Sequence, residues 1–278
     1  MIEIPEALTL AEQINTTVAG KRITNVTAAG TPHKFAWYYG DPQKYHELLS
    51  GKRLTHANGV GSMVEIFAED ITVLLGEGVA LRYHQEQDAR PSKHQLLIEF
   101  EDSTALSGGV QMYGGLMCAR TGELDNQYYR IALEKPSPLT DAFDSNYFSG
   151  LISAEGVQKL SIKAFLATEQ RIPGLGNGVL QDILFRAGLH PKAKVGSLTD
   201  KDREKLYGSI RETLAEMTFK GGRDTEKDLF GCSGGYVTSL SKNTADKPCT
   251  VCGTTIKKEN YLGGSIYYCA GCQRLPGK

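Results

Sequence analysis

The chain has 278 residues, with 31 Lys and Arg against 32 Asp and Glu and a formal net charge of -1. It therefore has no overall positive field, and any nucleic-acid contact must be a local patch. With 40% hydrophobic residues it can build two domains with their own cores plus a small appended module. No apolar run is long enough to span a bilayer and no basic, apolar leader opens the chain, so the expected location is the cytoplasm.

Met1-Ile2-Glu3-Ile4-Pro5-Glu6 leads into residues 7–14, whose apolar positions recur at helical spacing. A helix is expected from near Pro5, a residue suited to a first turn, to Gly20. Residues 21–28 alternate apolar and polar as a strand does. From there to Leu133 the pattern is mainly β, with short strands at 54–60, 63–67, 71–75, 79–83, 95–100 and 104–107 between Gly, Asp or Asn turns. Such spacing indicates a sandwich or barrel. Lys135-Pro136-Ser137-Pro138-Leu139 breaks the pattern as a linker. Beyond it the period becomes helical, with a helix opening at 153–156 and others over 162–167, 178–188 and 199–217, the last being the longest. Residues 221–247, rich in Gly, Ser, Asp and Lys, read as a long loop, and loops of this length are usually functional or mobile.

Four of the six cysteines close the chain as Cys249-Thr250-Val251-Cys252 and Cys269-Ala270-Gly271-Cys272, with sixteen residues between the two pairs. Two such knuckles at this spacing suit one closed, tetrahedral, structural Zn2+ site. A redox dithiol or a pair of disulfides is the competing reading, which a reducing compartment disfavours. Segments 254–258 and 265–268 flank Leu262-Gly263-Gly264, so a β-hairpin with a glycine tip is expected between the knuckles. A module of about thirty residues cannot bury a core of its own, so the metal must supply its folding energy. Cys118 and Cys232 stand alone and read as reduced thiols. Basic residues gather at Lys192 and Lys194, at Lys257-Lys258, and at Arg274 with Lys278.

Arg171-Ile172-Pro173-Gly174-Leu175-Gly176-Asn177 precedes the helix at 178–188. A glycine-rich turn at a helix N-terminus can offer backbone N–H groups, and here the Asn177 amide, to a phosphate. A tight packing corner uses glycines in the same way.

Three blocks together resemble the formamidopyrimidine-DNA glycosylase and endonuclease VIII family over nearly the whole chain. The family's opening Pro-Glu-Leu-Pro-Glu compares with Ile2-Glu3-Ile4-Pro5-Glu6. Its Gly-Val-Gly-Asn and Ala-Gly-Ile-His-Pro compare with Gly174-Leu175-Gly176-Asn177 and Ala187-Gly188-Leu189-His190-Pro191. Its zinc ribbon compares with the cysteine knuckles. The resemblance implies a multidomain α+β protein, an N-terminal β-sandwich with a leading helix, a helix-two-turn-helix all-α domain and a C-terminal zinc ribbon. The expected boundaries are 1–135 for the sandwich, 136–147 for the linker, 148–230 for the helical domain, 231–244 for a loop and 245–278 for the finger. The implied partner is double-stranded DNA, damaged or abasic, clasped by a monomer. In that family the damaged base is flipped from the duplex, the N-terminal proline amine attacks the sugar C1′, and the adjacent Glu moves protons. Carried over by position, Glu3 is the acid or base, Lys163 and Asn177 hold phosphates, and the hairpin tip clamps another.

The departures fall on the chemistry. Ile2 stands where the nucleophilic proline would be, and because Ile is too bulky for the usual removal of an initiator Met, the amine is expected to stay on Met1. That moves it by about 3.8 Å, the span of one residue, which is large against a near-attack geometry. The family's loop lysine falls at Gly61 and its finger arginine at Gly264. Its His-Leu-Gly-Met gap-filling block aligns with His84-Gln85-Glu86-Gln87 and its Asp-Pro-Arg-Arg-Phe-Gly with residues 109–114. Gln87 and Gln111 are then expected to hydrogen-bond the orphaned base while Tyr113 wedges between bases. Two functions follow as expectations. One is a base-excision enzyme hydrolysing the N-glycosidic bond through Glu3 and water, or through the Met1 amine if the fold draws it in, with ordinary lyase activity lost. The other is a non-catalytic binder of lesions, abasic sites or distorted DNA.

Overall fold

Residues 1–275 are described by the computed structural model, in which the chain divides into one unit of Met1–Arg130 with Gly221–Gly234 and a second of Ile131–Lys220 with Gly235–Lys278. Lys278, read with Arg274 as a basic cluster, lies outside the described residues. The segment Gly221–Gly234, expected with the helical domain and the following loop, belongs to the first unit. Among the described residues no helix is long and apolar enough to cross a membrane.

In the first unit, α1 (Ile4–Thr17) starts where Glu3 takes an extended N-cap conformation and exchanges capping-box contacts with Glu6, with Pro5 in the first turn. The β elements follow as β1 (Ile23–Ala28), β2 (Ala36–Trp37), β3 (Leu54–Val60), β4 (Met63–Ala68), β5 (Ile71–Gly76), β6 (Val79–His84), β7 (Leu96–Phe100), β8 (Ala105–Val110) and β9 (Gly114–Arg120), with a short α2 (Tyr45–Leu49) between β2 and β3. They form a four-stranded sheet in the order β1-β7-β8-β6 and a five-stranded sheet in the order β2-β9-β5-β4-β3. Neighbours run antiparallel except β2 beside β9. Ile23, Val26, Ile66, Val73, Leu75, Leu81, Ile98 and Leu106 share one buried core with Leu10 and Ile14 of α1. A Cβ on Gly59 of β3 would meet Leu8 N at 2.8 Å, so this glycine is what lets the helix lie directly on the sheet.

The strands expected from alternation are present. β9 was not expected, because Gly114-Gly115 carries no β-forming side chain and its pattern appears only when the strand pairs with β5. The loop segment joins the same unit through Leu229, which is buried in the core, accepts the Tyr83 N–H at 2.9 Å and donates its own N–H to Gln13 Oε1 at 2.9 Å.

Chain order continues through α3 (Gln127–Glu134), a helix where the β pattern was expected to run to Leu133, and the second unit contains α4 (Ser145–Ser153), α5 (Ile162–Ala167), α6 (Val179–Ala187), α7 (Asp200–Phe219) and the hairpin β10 (Ile256–Tyr261) and β11 (Gly264–Cys269). The helix expected to open at 153–156 instead ends there. Asp144 caps α4 by accepting the Tyr147 N–H at 2.7 Å, and residues Val157–Lys159 make only a 3₁₀ turn after Gly156, whose φ is 78°. Ser161 and Thr199 cap α5 and α7 through their hydroxyls, and Gly188 ends α6 in the left-handed conformation with φ 70°. The hairpin turn consists of Leu262 and Gly263, both at positive φ of 50° and 73°, while Gly264 is already the first residue of β11 opposite Tyr261. This is the turn geometry that matches strand twist.

Candidate active site and nucleic-acid interface

The N-terminal corner is held by main chain first. Ile2 N–H donates to Glu77 O at 2.7 Å and Glu77 N–H donates to Ser62 O at 3.1 Å, so the first residues, the β5–β6 turn and the β3–β4 turn form one run of hydrogen bonds. Ile2 itself is buried in the core. The Met1 amine forms an ion pair with Glu226 of the loop segment.

Behind this run lies a buried ion network. Arg223 donates through Nε to Glu6 Oε1 at 2.9 Å and through Nη2 to Glu6 Oε2 at 2.8 Å, and its Nη1 lies 3.5 Å from Glu3 Oε2. Its backbone N–H also reaches Glu6 Oε1 at 3.1 Å, and Nη2 reaches Met1 O at 3.3 Å. Glu3, Glu6 and Arg223 are 4%, 6% and 2% exposed, so each depends on the others to remain charged. Burial alone would raise the Glu6 carboxyl, but the Arg223 charge and its hydrogen bonds outweigh it and hold the group below its ordinary value. Burial also opposes the Arg223 charge, and Glu3 and Glu6 overcome this and push its pKa up.

Tyr113 stands beside the same corner. Burial raises its phenol first, and the Glu77 and Glu3 charges raise it further. Gln111 N–H donates to Gly78 O at 3.2 Å, which puts Gln111 at the β5–β6 turn as well. Gln87 is not part of this cluster. Val79 pairs with Val110 at one end of β6 and His84 with Ala105 at the other, so Gln87 follows the far end of the strand. Six residues of strand carry it about 17–20 Å away from Gln111. The residue at the turn is Glu77, in Gly76-Glu77-Gly78. The misplacement came from matching on His84, whereas the glycine-flanked turn between two strands was the better signal. Arg223 and Glu226 were also missed, and no local pattern marks them. Where the family's loop lysine would fall, Gly61 and Ser62 make the two-residue turn between Val60 and Met63.

In the second unit, Lys163 and Asn177 come together under the hairpin. The Lys163 amine donates to Tyr261 O, Asn177 Nδ2 donates to Ser265 O at 2.9 Å, and Gln181 Nε2 donates to Asn177 O at 2.8 Å. Asn177 Oδ1 is buried without a hydrogen-bond partner. Lys163 is 4% exposed, and burial lowers the pKa of its amine. A Cβ on Gly264 would lie 3.5 Å from both the Asn177 amide and Lys163 Nζ, so the position expected to carry an arginine faces these two residues as a bare backbone.

The four cysteine sulfurs, Cys249, Cys252, Cys269 and Cys272, lie within 4.8 Å of one another. Cys249 and Cys272 are 3.8 Å apart and Cys252 and Cys269 are 3.4 Å apart. Sulfurs bound tetrahedrally at about 2.3 Å from one Zn2+ sit roughly 3.8 Å apart, so the set fits such an ion. The second knuckle needs its glycine, since a Cβ on Gly271 would meet Cys252 Sγ at 2.9 Å.

A β-sandwich led by a helix, a helical unit with a glycine-rich turn before α6, and a four-cysteine hairpin define the helix-two-turn-helix class with a ribbon compatible with zinc. Residues 135–227 match the model of the formamidopyrimidine-DNA glycosylase H2TH domain. The chain is 27% identical to the formamidopyrimidine-DNA glycosylase of Wolbachia sp. subsp. Brugia malayi, covering 98% of this chain and 100% of that protein. It is 28% identical to that of Lactobacillus johnsonii, covering 99% of each. Its fold is that of the MutM (Fpg) protein from Thermus thermophilus, with a TM-score of 0.79 and 24% identity over 98% of each chain. It also matches Lactococcus lactis Fpg, solved in complex with abasic-site DNA, with a TM-score of 0.81 and 20% identity over 98% of this chain and 99% of that one. The chain thus carries the H2TH domain of formamidopyrimidine-DNA glycosylases over residues 135–227 and is similar to proteins of that name over nearly its whole length.

Proposed function

We propose that the chain is a DNA glycosylase of base-excision repair that hydrolyses the N-glycosidic bond of a damaged base in double-stranded DNA through Glu3 and water. The observation that carries this reading is the N-terminal corner. The nitrogen of Ile2 is a peptide N–H that donates to Glu77 O at 2.7 Å, and its lone pair is delocalised into the Met1 carbonyl, so it cannot form a Schiff base. The Met1 amine is held by Glu226. Glu3 remains at the start of α1 with the Arg223 guanidinium at 3.5 Å, which favours its ionised form. An ionised carboxylate there takes the proton of a water whose oxygen bonds to C1′ as the bond from C1′ to the base breaks and the base leaves.

Around that step, Gln111 and Tyr113 fill the gap left by the flipped base. Lys163 and Asn177 exchange their carbonyl partners in the hairpin for backbone phosphates. One structural Zn2+ on the four cysteines supplies the folding energy of the ribbon and takes no part in the reaction. The protein acts as a monomer. The non-catalytic alternative is not favoured, because the carboxylate that the chemistry needs is kept while only the amine is displaced.

The test is a single gel on duplexes carrying oxidised or alkylated bases or an abasic site, with and without borohydride. Strand breaks that require hot alkali, without a trapped adduct and lost in Glu3→Gln, are expected. A borohydride adduct at Met1 would replace hydrolysis with amine catalysis. Tight duplex binding with neither signal would leave a binder without chemistry.

A further inference from the structure

On the outer face of the five-stranded sheet, within the first unit, lies a cavity of about 470 Å³ with Tyr113 on its wall. Its volume is in the range of small-molecule sites, which run from about 300 to 1,000 Å³. Leu74 and Met117, paired across β5 and β9, lie on this face and line it. Trp37 and Tyr113 stand over them with ring centroids 6.0 Å apart and planes tilted by 44°. Trp37 is 50% exposed and Tyr128 57% exposed, so the aromatic walls reach solvent. No residue lining the cavity is basic.

The one charged residue among those lining the cavity is Glu77. It is a non-glycine residue at φ 52°, a left-handed conformation that side chains rarely adopt. The fold keeps it there through the Ile2 N–H on its carbonyl and its own N–H on Ser62 O. Strain of this kind persists where the surroundings over-determine it and gathers at ligand sites. Asn126, also on the wall, is already engaged, accepting the Tyr129 N–H at 3.0 Å and donating to Met117 Sδ at 3.6 Å. The Glu77 carboxyl makes no hydrogen bond or ion pair with any described residue.

We propose that this cavity seats an unstacked nucleobase that presents two adjacent N–H donors, guanine above all, stacked on Trp37 and Tyr113 and bound edge-on by the Glu77 carboxylate. The charge decides between the parts of a nucleotide. A cavity with one carboxylate and no cation repels a phosphate, while aromatic walls accept any base face. The carboxylate accepts from donor edges, and the neighbouring N1–H and N2–H₂ of guanine match its two oxygens. This inference rests on the chain being a DNA-binding enzyme, and it adds a base-reading place on the sheet face that adjoins the corner at Glu3 through Tyr113 and Glu77.

Trp37 is the only tryptophan in the chain, so its emission reports the cavity directly. Short duplexes carrying a reduced abasic analogue opposite guanine or thymine are titrated while fluorescence anisotropy of the labelled DNA measures binding. Quenching of Trp37 at saturation with guanine is expected, together with affinity tighter than for thymine by on the order of tenfold. In Glu77→Gln that preference should collapse while affinity for the thymine duplex stays, which also shows the variant to be folded. Saturated binding with unchanged Trp37 emission, or the same preference in Glu77→Gln, would overturn the cavity proposal and leave DNA binding intact. Failure of either duplex to bind would overturn the DNA-binding reading and this inference with it.

Discussion

The N-terminal corner of the first unit and the hairpin corner of the second solve the same problem in different ways. Both place polar groups in dry surroundings. At the N-terminus the partners are full charges from opposite ends of the sequence, Glu3 and Glu6 against Arg223. At the hairpin they are local, with two cysteine knuckles at its base and the donors of Lys163, Asn177 and Gln181 satisfied by main-chain oxygens. The first arrangement sets a buried guanidinium against Glu6 and holds its carboxyl below the ordinary value. The second satisfies its donors with main-chain carbonyls, and burial lowers the pKa of the Lys163 amine. Long-range charge pairing is thus dense at the first corner and gives way to main-chain partners at the second.

The largest effect should come from breaking the local arrangement. Chelation of zinc, or Cys269→Ser, removes a metal contribution of about 10–16 kcal/mol to the folding of such a ribbon. Protease cleavage within 245–275 and loss of DNA binding are expected, with the sandwich core still melting cooperatively. A ribbon that resists protease after chelation would mean that its own packing suffices.

The long-range arrangement is broken by Arg223→Met, which leaves two buried carboxylates without their partner. A loss of about 3–5 kcal/mol in urea unfolding is expected. The pH dependence should change sign. In the native protein the Glu6 carboxyl is held below its unfolded value, so its pairing stabilises the fold above the ordinary carboxylate value of about 4.3 and that contribution fades as pH falls through the folded value. Without Arg223 burial outweighs the pull of the N-terminal amine and the folded value is expected above the unfolded one, so stability should rise as pH falls through the folded value. An unchanged pH profile would show that the network does not hold Glu6 ionised.

The smallest effect sharpens the contrast from the other side. Gly264→Arg adds a side chain at a position that lacks positive φ and whose nearest neighbours would be at ordinary contact distance. Stability should stay within about 0.5 kcal/mol. DNA affinity should rise at low salt, with the salt slope steeper by about one ion. An unchanged slope would mean that this corner does not face a phosphate.

Much of this was legible because it is local. The cysteine knuckles carry their sulfurs within four residues, α6 and α7 show their apolar stripes and caps, and the strands from β3 to β8 are short runs set between Gly, Asp or Asn turns. Glu3 and Asn177 were found through short blocks around them. What escaped depends on distance in the chain. β9 begins with two glycines and is a strand because β5 is beside it, α4 is set by Asp144 rather than by the later Ser153, and Gln87 was placed by a repeated His when only strand pairing fixes which turn lies near Ile2.

By itself the sequence determined the cysteine knuckles at a spacing that suits a metal and the change from β to α, although α3 (Gln127–Glu134) puts that change ahead of the Pro-rich linker. Each is a matter of residue type and spacing over a few positions. Only the tertiary structure decided that Arg223 neutralises Glu3 and Glu6, that Glu226 holds the Met1 amine, and that Glu77 stands at the turn beside Ile2. These pairings join residues far apart along the chain, and no local propensity encodes them. They exist because a charge taken out of water must find its partner wherever the fold brings one.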